Sequence, residues 1–209
     1  MSDNYAPFEK QYNAEEFLEY VEMESGKPGN ENTRYELIDG VIYMMGSPNL
    51  THYNLCKFIE KNFETYFERK GCDVYNGSVD LFLFDKKRFT VFSLSGNKCN
   101  NVVVPDLMVV CNKKQIKKKG IFGAPDLVVE VVSESNSGND YVRKLNAYLT
   151  FGVKEYWIVN PIKKTVRIYD MTIINNPAEF NYTFVDIVKS ELFNNLSIDF
   201  RQFTSFVED

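Results

Sequence analysis

The stretch GAPDLVVEVVSES, from Gly123 to Ser135, sets two carboxylates, Asp126 and Glu130, into a run of valines. An ionised carboxylate taken out of water costs several kcal/mol unless it is paired or keeps its proton. Side chains two apart on a strand share a face, so Glu130 points with Asp126, Val128 and Val132 while Leu127, Val129 and Val131 point the other way. Apolar residues on both faces describe a central strand covered on each side. Asp126 follows Pro125 at the start of that strand, where solvent is within reach and a turn role suffices. Glu130 lies deeper and needs a partner.

A second run of the same kind, VVVPDLMVV, puts Asp106 in a matching setting. Its Pro105 removes a backbone donor inside an apolar run, the mark of a bulge or a sheet edge. If the two strands are neighbours, Asp106 and Glu130 converge and repel unless one keeps its proton or a cation sits between them. Oxygen ligands with room left for water suit Mg²⁺ or Mn²⁺. Such a centre activates water and stabilises charge developing on a phosphoryl oxygen. Lys144, four residues after Asp140 on the next helix, is the candidate cation for orienting water or neutralising phosphate. The same pair is equally an ordinary i,i+4 pair on an exposed helix, so spacing alone names no reaction.

These residues need elements to hold them. Residues 1–12 read as a loose lead-in, and Asn13 with Glu16 forms a capping-box pattern ahead of Phe17, Leu18 and Val21. The stretch SGKPGNEN is a loop by composition, and YELIDGVIYMM reads as a hairpin about Asp39-Gly40. Asn49 or Thr51 caps a helix whose apolar side carries Leu55, Phe58, Ile59, Phe63, Tyr66 and Phe67, with Gly71 ending it. Residues 73–84 read as one strand and Asp85–Asn101 as a strand-like excursion with a Gly-Asn turn. The basic connection NKKQIKKKG joins the two valine-rich strands. A helix from about Asp140 to Phe151 ends at Gly152. Strands at Glu155–Val159 and Thr165–Tyr169 flank the turn Asn160-Pro161, and one more is expected near Phe180–Val188. Strands before and after the helices describe one α/β domain with a mixed sheet.

Composition narrows the function classes. The chain has 209 residues, 44% hydrophobic and 25% charged, which is ample for one substantial core. A net charge of −5 argues against indiscriminate attraction to nucleic acid but leaves room for a local basic surface. The four cysteines are scattered without a CxxC pair, and His52 is the sole histidine. That scarcity argues against zinc held by His and Cys. No basic start followed by an apolar run marks a signal peptide, and no apolar stretch is long enough to span a membrane. The expectation is a cytoplasmic protein with reduced thiols.

The ordered blocks RYELIDGVIYMMGSP with His52 soon after, VVVPDLMVV, GAPDLVVEVVSES and DYVRKLNAYLTFGVKEYWIVNP resemble the Uma2 family of restriction-endonuclease-like proteins. That family is a branch of the PD-(D/E)XK nuclease superfamily, and the tail NNLSIDFRQF resembles its last segment. The resemblance implies a restriction-endonuclease-like fold, with residues 1–209 as one domain and a core over about 34–170. It makes Asp106 the acid of the PD half-motif and Glu130 the acid of the (D/E)XK half. Val132 stands where that half-motif has its lysine, and Lys144 on the following helix fits the role of substitute. Glu36 and His52 match recurring family positions and are expected near the site. Asn160 departs from the usual Asp of the YWIVDP-like block and reads as a turn variant.

The expected activity is metal-dependent hydrolysis of DNA phosphodiester bonds. Asp106 and Glu130 would be ligands to Mg²⁺ (or Mn²⁺), Lys144 would orient water or phosphate, and Glu36 and His52 would complete the site. The five lysines of Lys113–Lys119 are the candidate DNA-contact loop, although a charge run is also what a solvated hairpin looks like. The alternative is a catalytically silent nuclease-fold binding or assembly protein, compatible with a homodimer, since fold alone does not establish function. A third reading keeps the site and changes the substrate to RNA or a small phosphoester.

Overall fold

The computed structural model describes residues 10–84, 99–133, 138–173 and 176–204. The valine-rich runs pair as expected. Strand β6 (Leu107–Val110) lies antiparallel to β9 (Leu127–Val131), with Leu107 opposite Val129 and Met108 opposite Val128. β9 continues in parallel to β10 (Glu155–Asn160), which turns at Asn160 into the antiparallel β11 (Thr165–Asp170). With β3 (Asp73–Asn76) and β12 (Ala178–Thr183) these form one sheet in the order β12-β11-β10-β9-β6-β3.

A second six-stranded sheet lies beside it. It contains the hairpin β1 (Tyr35–Ile38) and β2 (Val41–Met44), with β4 (Leu81–Leu83), β5 (Asn101–Val103), β7 (Ile116–Lys117) and β8 (Gly120–Phe122). The order is β2-β1-β5-β4-β8-β7. Asp39 and Gly40 both have positive φ, 49° and 79°, the backbone that a tight two-residue hairpin turn requires. The small hairpin β13 (Ile187–Lys189) and β14 (Ser197–Asp199) stands apart from both sheets.

Among the described residues, three α-helices cover these sheets. The capping box forms as read: Asn13 accepts from the backbone N–H of Glu15 and Glu16, and Glu16 accepts from that of Asn13, starting α1 (Ala14–Ser25). Asn49 caps α2 (Leu50–Phe67) by accepting from the His52 N–H at 2.9 Å. α2 stops short of Gly71, with Arg69 already in the left-handed region. α3 (Gly138–Phe151) begins two residues before the expected start and ends at Gly152, whose φ is 89°.

The period-2 pattern sorts the core into layers. Leu127, Val129 and Val131 pack with Leu55, Ile59 and Phe63 of α2, whereas Val128 packs on the opposite face with Ala147 and Tyr148 of α3. In the second sheet Leu81, Leu83 and Val103 join that inner layer, and Phe82 and Val102 turn outward to meet Phe17 of α1.

Several expectations need correction. The mixed sheet is two mixed sheets, because the chain crosses between them five times along β1 to β9. Residues 73–84 divide at the turn 77–80, so β3 pairs with β6 in one sheet and β4 with β5 and β8 in the other. The segment 104–106 makes another crossing, from β5 to β6, which accounts for Pro105 inside an apolar run: its missing N–H falls between ladders. The strand expected at Phe180–Val188 is two, β12 and β13, separated where the Asp186 carboxylate accepts from the Thr183 N–H. Cys72 and Cys111 form a disulfide, contrary to the expectation of reduced thiols, because the register of Asp73 opposite Val110 carries these flanking residues together. The strand-like excursion expected over Asp85–Asn101 lies largely outside the described residues, as does most of the lead-in.

Candidate active site

The β6/β9 register, extended by one step, sets Asp106 opposite Glu130. Asp106 stands where the chain passes from β5 to β6, and its Oδ2 accepts from the backbone N–H of Val131 at 2.8 Å. The same oxygen lies 3.1 Å from His52 Nε2, in the first turn of α2. This contact turns Nε2 toward Asp106 and leaves Nδ1 to face Cys56 Sγ at 3.6 Å, one turn along α2.

Glu130 points away from α2 toward α3, as its strand parity requires. Lys144 and Tyr148 are four apart on α3 and therefore share a face. Lys144 Nζ donates to Glu130 Oε1 at 3.1 Å, and the Tyr148 hydroxyl donates to the same oxygen at 2.8 Å. Lys144 Nζ is also 3.0 Å from Glu36 Oε1 on β1, and that oxygen accepts from the Val104 N–H at 2.8 Å. Glu130 is 3% exposed and Lys144 2%, so this is a desolvated cluster and not a surface ion pair. All five residues expected at the site, Asp106, Glu130, Lys144, Glu36 and His52, are brought to one place by five different elements or junctions.

The electrostatics follow from burial. Desolvation pushes the Glu130 carboxyl up to about 8; the charges of Asp106 and Glu36 push the same way, while Lys144 and the Tyr148 hydrogen bond oppose them. Burial likewise raises the Tyr148 hydroxyl well above its usual value. The Cys56 thiol is pushed far up, first by desolvation and then by the charges of Asp106 and Glu130.

The residues line a cleft of about 180 Å³. Among the described residues, Asp106 Oδ1 and Glu130 Oε2 carry no hydrogen bond, since the contacts of both side chains use the other oxygen. Lys144 pairs with two carboxylates, Glu36 and Glu130, while the third, Asp106, is held by His52. Two carboxylate oxygens with spare lone pairs, facing one cleft, fit a hard divalent cation. A softer donor set stands alongside: ligand atoms of His52, Cys56 and Asp106 all lie within 4.8 Å of one another, although His52 is the sole histidine.

Sequence reasoning missed four residues here. Tyr148 was legible only as the i+4 neighbour of Lys144, and Cys56 only as the i+4 neighbour of His52. Arg34 and Arg143 line the cleft, with the Arg143 guanidinium 5.0 Å from the ring centroid of Tyr43. Nothing local marks either arginine as facing the site.

Two other readings resolve differently. Asp126 is not in the cleft: it accepts from the Cys111 N–H at 2.8 Å and from Lys154 Nζ at 2.6 Å, a structural tie at the other end of β9. The basic stretch Lys113–Lys119 follows β6, whereas Asp106 precedes it, so at ~3.3 Å per residue the loop lies roughly 20 Å from the acids. Lys113 pairs there with Asp73. Asn160 accepts from the Lys163 N–H at 2.8 Å, consistent with a turn variant. The side chain of Asp140 lies outside the described residues.

Residues 14–201 match the profile of Uma2, described as "Putative restriction endonuclease". The chain is 24% identical over 180 residues to the uncharacterized protein slr1290 of Synechocystis sp., covering 83% of this chain and 84% of that one. Its fold is similar to the crystal structure of a putative nuclease belonging to DUF820 from Anabaena variabilis. That match has a TM-score of 0.61 and 17% identity, covering 86% of this chain and 89% of the other. No described helix is long and apolar enough to cross a membrane. With the profile spanning nearly every element described above, the chain belongs to the Uma2 family of restriction-endonuclease-like proteins.

Proposed function

We propose that this chain is a single-domain, metal-dependent endonuclease that hydrolyses DNA phosphodiester bonds in the cleft bounded by Asp106, Glu130 and Lys144. The observation that carries this reading is the convergence of Asp106 and Glu130 on one cleft, each with a carboxylate oxygen that carries no hydrogen bond among the described residues, beside the buried Lys144. Asp106 and Glu130 would hold Mg²⁺ or Mn²⁺, each with its unbonded oxygen. An ion held there would stabilise negative charge developing on the phosphoryl oxygens and lower the pKa of water.

The remaining work falls to the protein. Lys144, held between Glu36 and Glu130, donates to the attacking water or to a phosphoryl oxygen as charge builds there. Glu36 fixes the lysine and is itself fixed by the Val104 N–H. His52 and the Val131 N–H hold Asp106 in one orientation, and Tyr148 does the same for Glu130. Arg34 and Arg143 on the cleft wall would receive flanking phosphates, bidentate donors suiting that geometry.

A second reading is favoured by the same salt bridges. With Lys144 bonded to both Glu36 and Glu130, the site is partly neutralised without an ion, as a silent assembly protein on this fold would require. Calorimetric titration of Mg²⁺ and Mn²⁺ separates the two. The nuclease reading expects binding that disappears in Glu130→Gln, together with loss of hydrolysis of plasmid DNA while the circular dichroism spectrum is kept. Full hydrolysis by Glu130→Gln in a preparation free of contaminating nuclease sinks the assignment. No metal binding, with or without a non-cleavable duplex, favours the silent protein.

A further inference from the structure

We propose that the cleft takes an unpaired DNA strand in preference to a duplex, with a nucleobase against the wall formed by Tyr43, Met44, Met45 and Pro48 and the flanking phosphates on Arg34 and Arg143. Three observations carry it. The first is depth. Glu130 and Lys144 are almost fully buried, so a scissile phosphate must descend into the cleft to meet them. A duplex carries its phosphates on a convex cylinder, each beside a second strand, whereas a single strand bends and can enter one nucleotide at a time.

The second observation is the wall. Met44, at the end of the edge strand β2, is 72% exposed, and Met45, Pro48 and Tyr43 line the cleft with it. A duplex keeps its bases stacked inside and presents sugar and phosphate, which offer these side chains no apolar partner. An unpaired base brings a π-face that thioethers and rings can cover. The third is the placing of the donors. Arg34 Nη2 is 3.8 Å from Met45 Sδ, and the Arg143 guanidinium stands over the Tyr43 ring. Phosphate donors and apolar surface are thus interleaved, as phosphate and base alternate along an unpaired strand. Charge points the same way. A duplex held over many phosphates needs cations spread across a face, but the net charge is −5 and the lysine-rich loop lies roughly 20 Å from the acids. Among the described residues, the cleft lining carries two arginines besides Lys144, enough for the phosphates on either side of one nucleotide. A preference in cleavage rests on the function proposed above; the preference in binding does not.

The test is fluorescence anisotropy of one labelled oligonucleotide, single-stranded or annealed to its complement. It is titrated at a single salt concentration with the Glu130→Gln protein, which leaves the strand uncut. The single strand should bind roughly tenfold tighter than the duplex, or better. Adding Met44→Ser and Met45→Ser together should weaken single-strand binding by about fivefold or more and duplex binding by less than about twofold. Equal affinity for the two forms, or tighter binding of the duplex, overturns the proposal. So does a methionine double variant that binds the single strand unchanged or loses both forms alike. Hydrolysis by the native chain with Mg²⁺ or Mn²⁺ separates this inference from the nuclease reading. Single-stranded DNA should be cut, and supercoiled plasmid, whose strain opens unpaired segments, should be nicked faster than relaxed plasmid. Relaxed duplex cut as fast as the single strand keeps the nuclease and overturns the strand preference. The expected binding preference without hydrolysis of any DNA keeps the strand site and removes the nuclease.

Discussion

Replacing Glu130 by Gln should stabilise the metal-free protein, and by more as the pH rises. The native carboxyl sits between hydrophobic layers, and its pKa moves from 4.5 to about 8 on folding. A group whose folded pKa is raised contributes its full stability below the unfolded value and loses it as pH climbs through the folded one. At about 1.4 kcal/mol per pH unit, the cost of keeping Glu130 reaches on the order of 3 kcal/mol at pH 7 and about 5 kcal/mol above pH 9. Gln has no charge to desolvate, and its carbonyl oxygen still accepts from Tyr148 and Lys144. The assay is urea denaturation of both proteins in EDTA at pH 5, 7 and 9. The expected gap is under about 1 kcal/mol at pH 5 and opens in favour of the variant toward pH 9. Added Mn²⁺ should close it by stabilising only the native chain. A variant less stable at every pH, or a gap that does not grow with pH, refutes this account of why the acid is tolerated among valines.

Three further outcomes are expected. Arg34→Ala and Arg143→Ala should each weaken DNA binding and lower the slope of log K against log salt by roughly one ion, whereas replacing Lys117, Lys118 and Lys119 together should change binding less than either; filter binding across a salt series checks this. Glu155→Ala should cost on the order of 3 kcal/mol or more. Its buried carboxylate accepts from Trp157 Nε1 and from the Glu191 and Leu192 N–H groups, all at 2.7 Å, and three desolvated donors would be stranded. Chemical denaturation followed by Trp157 fluorescence reads the change, and a loss under 1 kcal/mol would contradict it. Reducing the Cys72–Cys111 disulfide, whose partners are 39 residues apart, should lower stability by up to about 4 kcal/mol in the chain-entropy account; identical denaturation midpoints with and without reductant would speak against the bond.

Most of what proved legible in the chain is governed by rules that reach only a few residues. The parity of Leu127–Val131 assigned Glu130 to the face of Val128 and away from Leu127, Val129 and Val131, and the structure keeps that division. The Asn13 box, the Asn49 cap and the Asp39-Gly40 hairpin are likewise local choices between a side chain and its own backbone. The burial of an acid in a strand announced that a partner must exist, because desolvation is costly wherever the strand ends up. Which partner it has depends on how segments far apart in the chain are registered. Lys144 meets Glu36 across 108 residues because β1 and α3 face one inner layer, and no local pattern encodes that meeting. The crossing at 77–80, the Cys72–Cys111 bond and the arrival of Arg34 and Arg143 at one cleft have the same origin. Side-chain chemistry and periodicity set which groups must be satisfied, and only the packing of two sheets against each other chooses the groups that satisfy them.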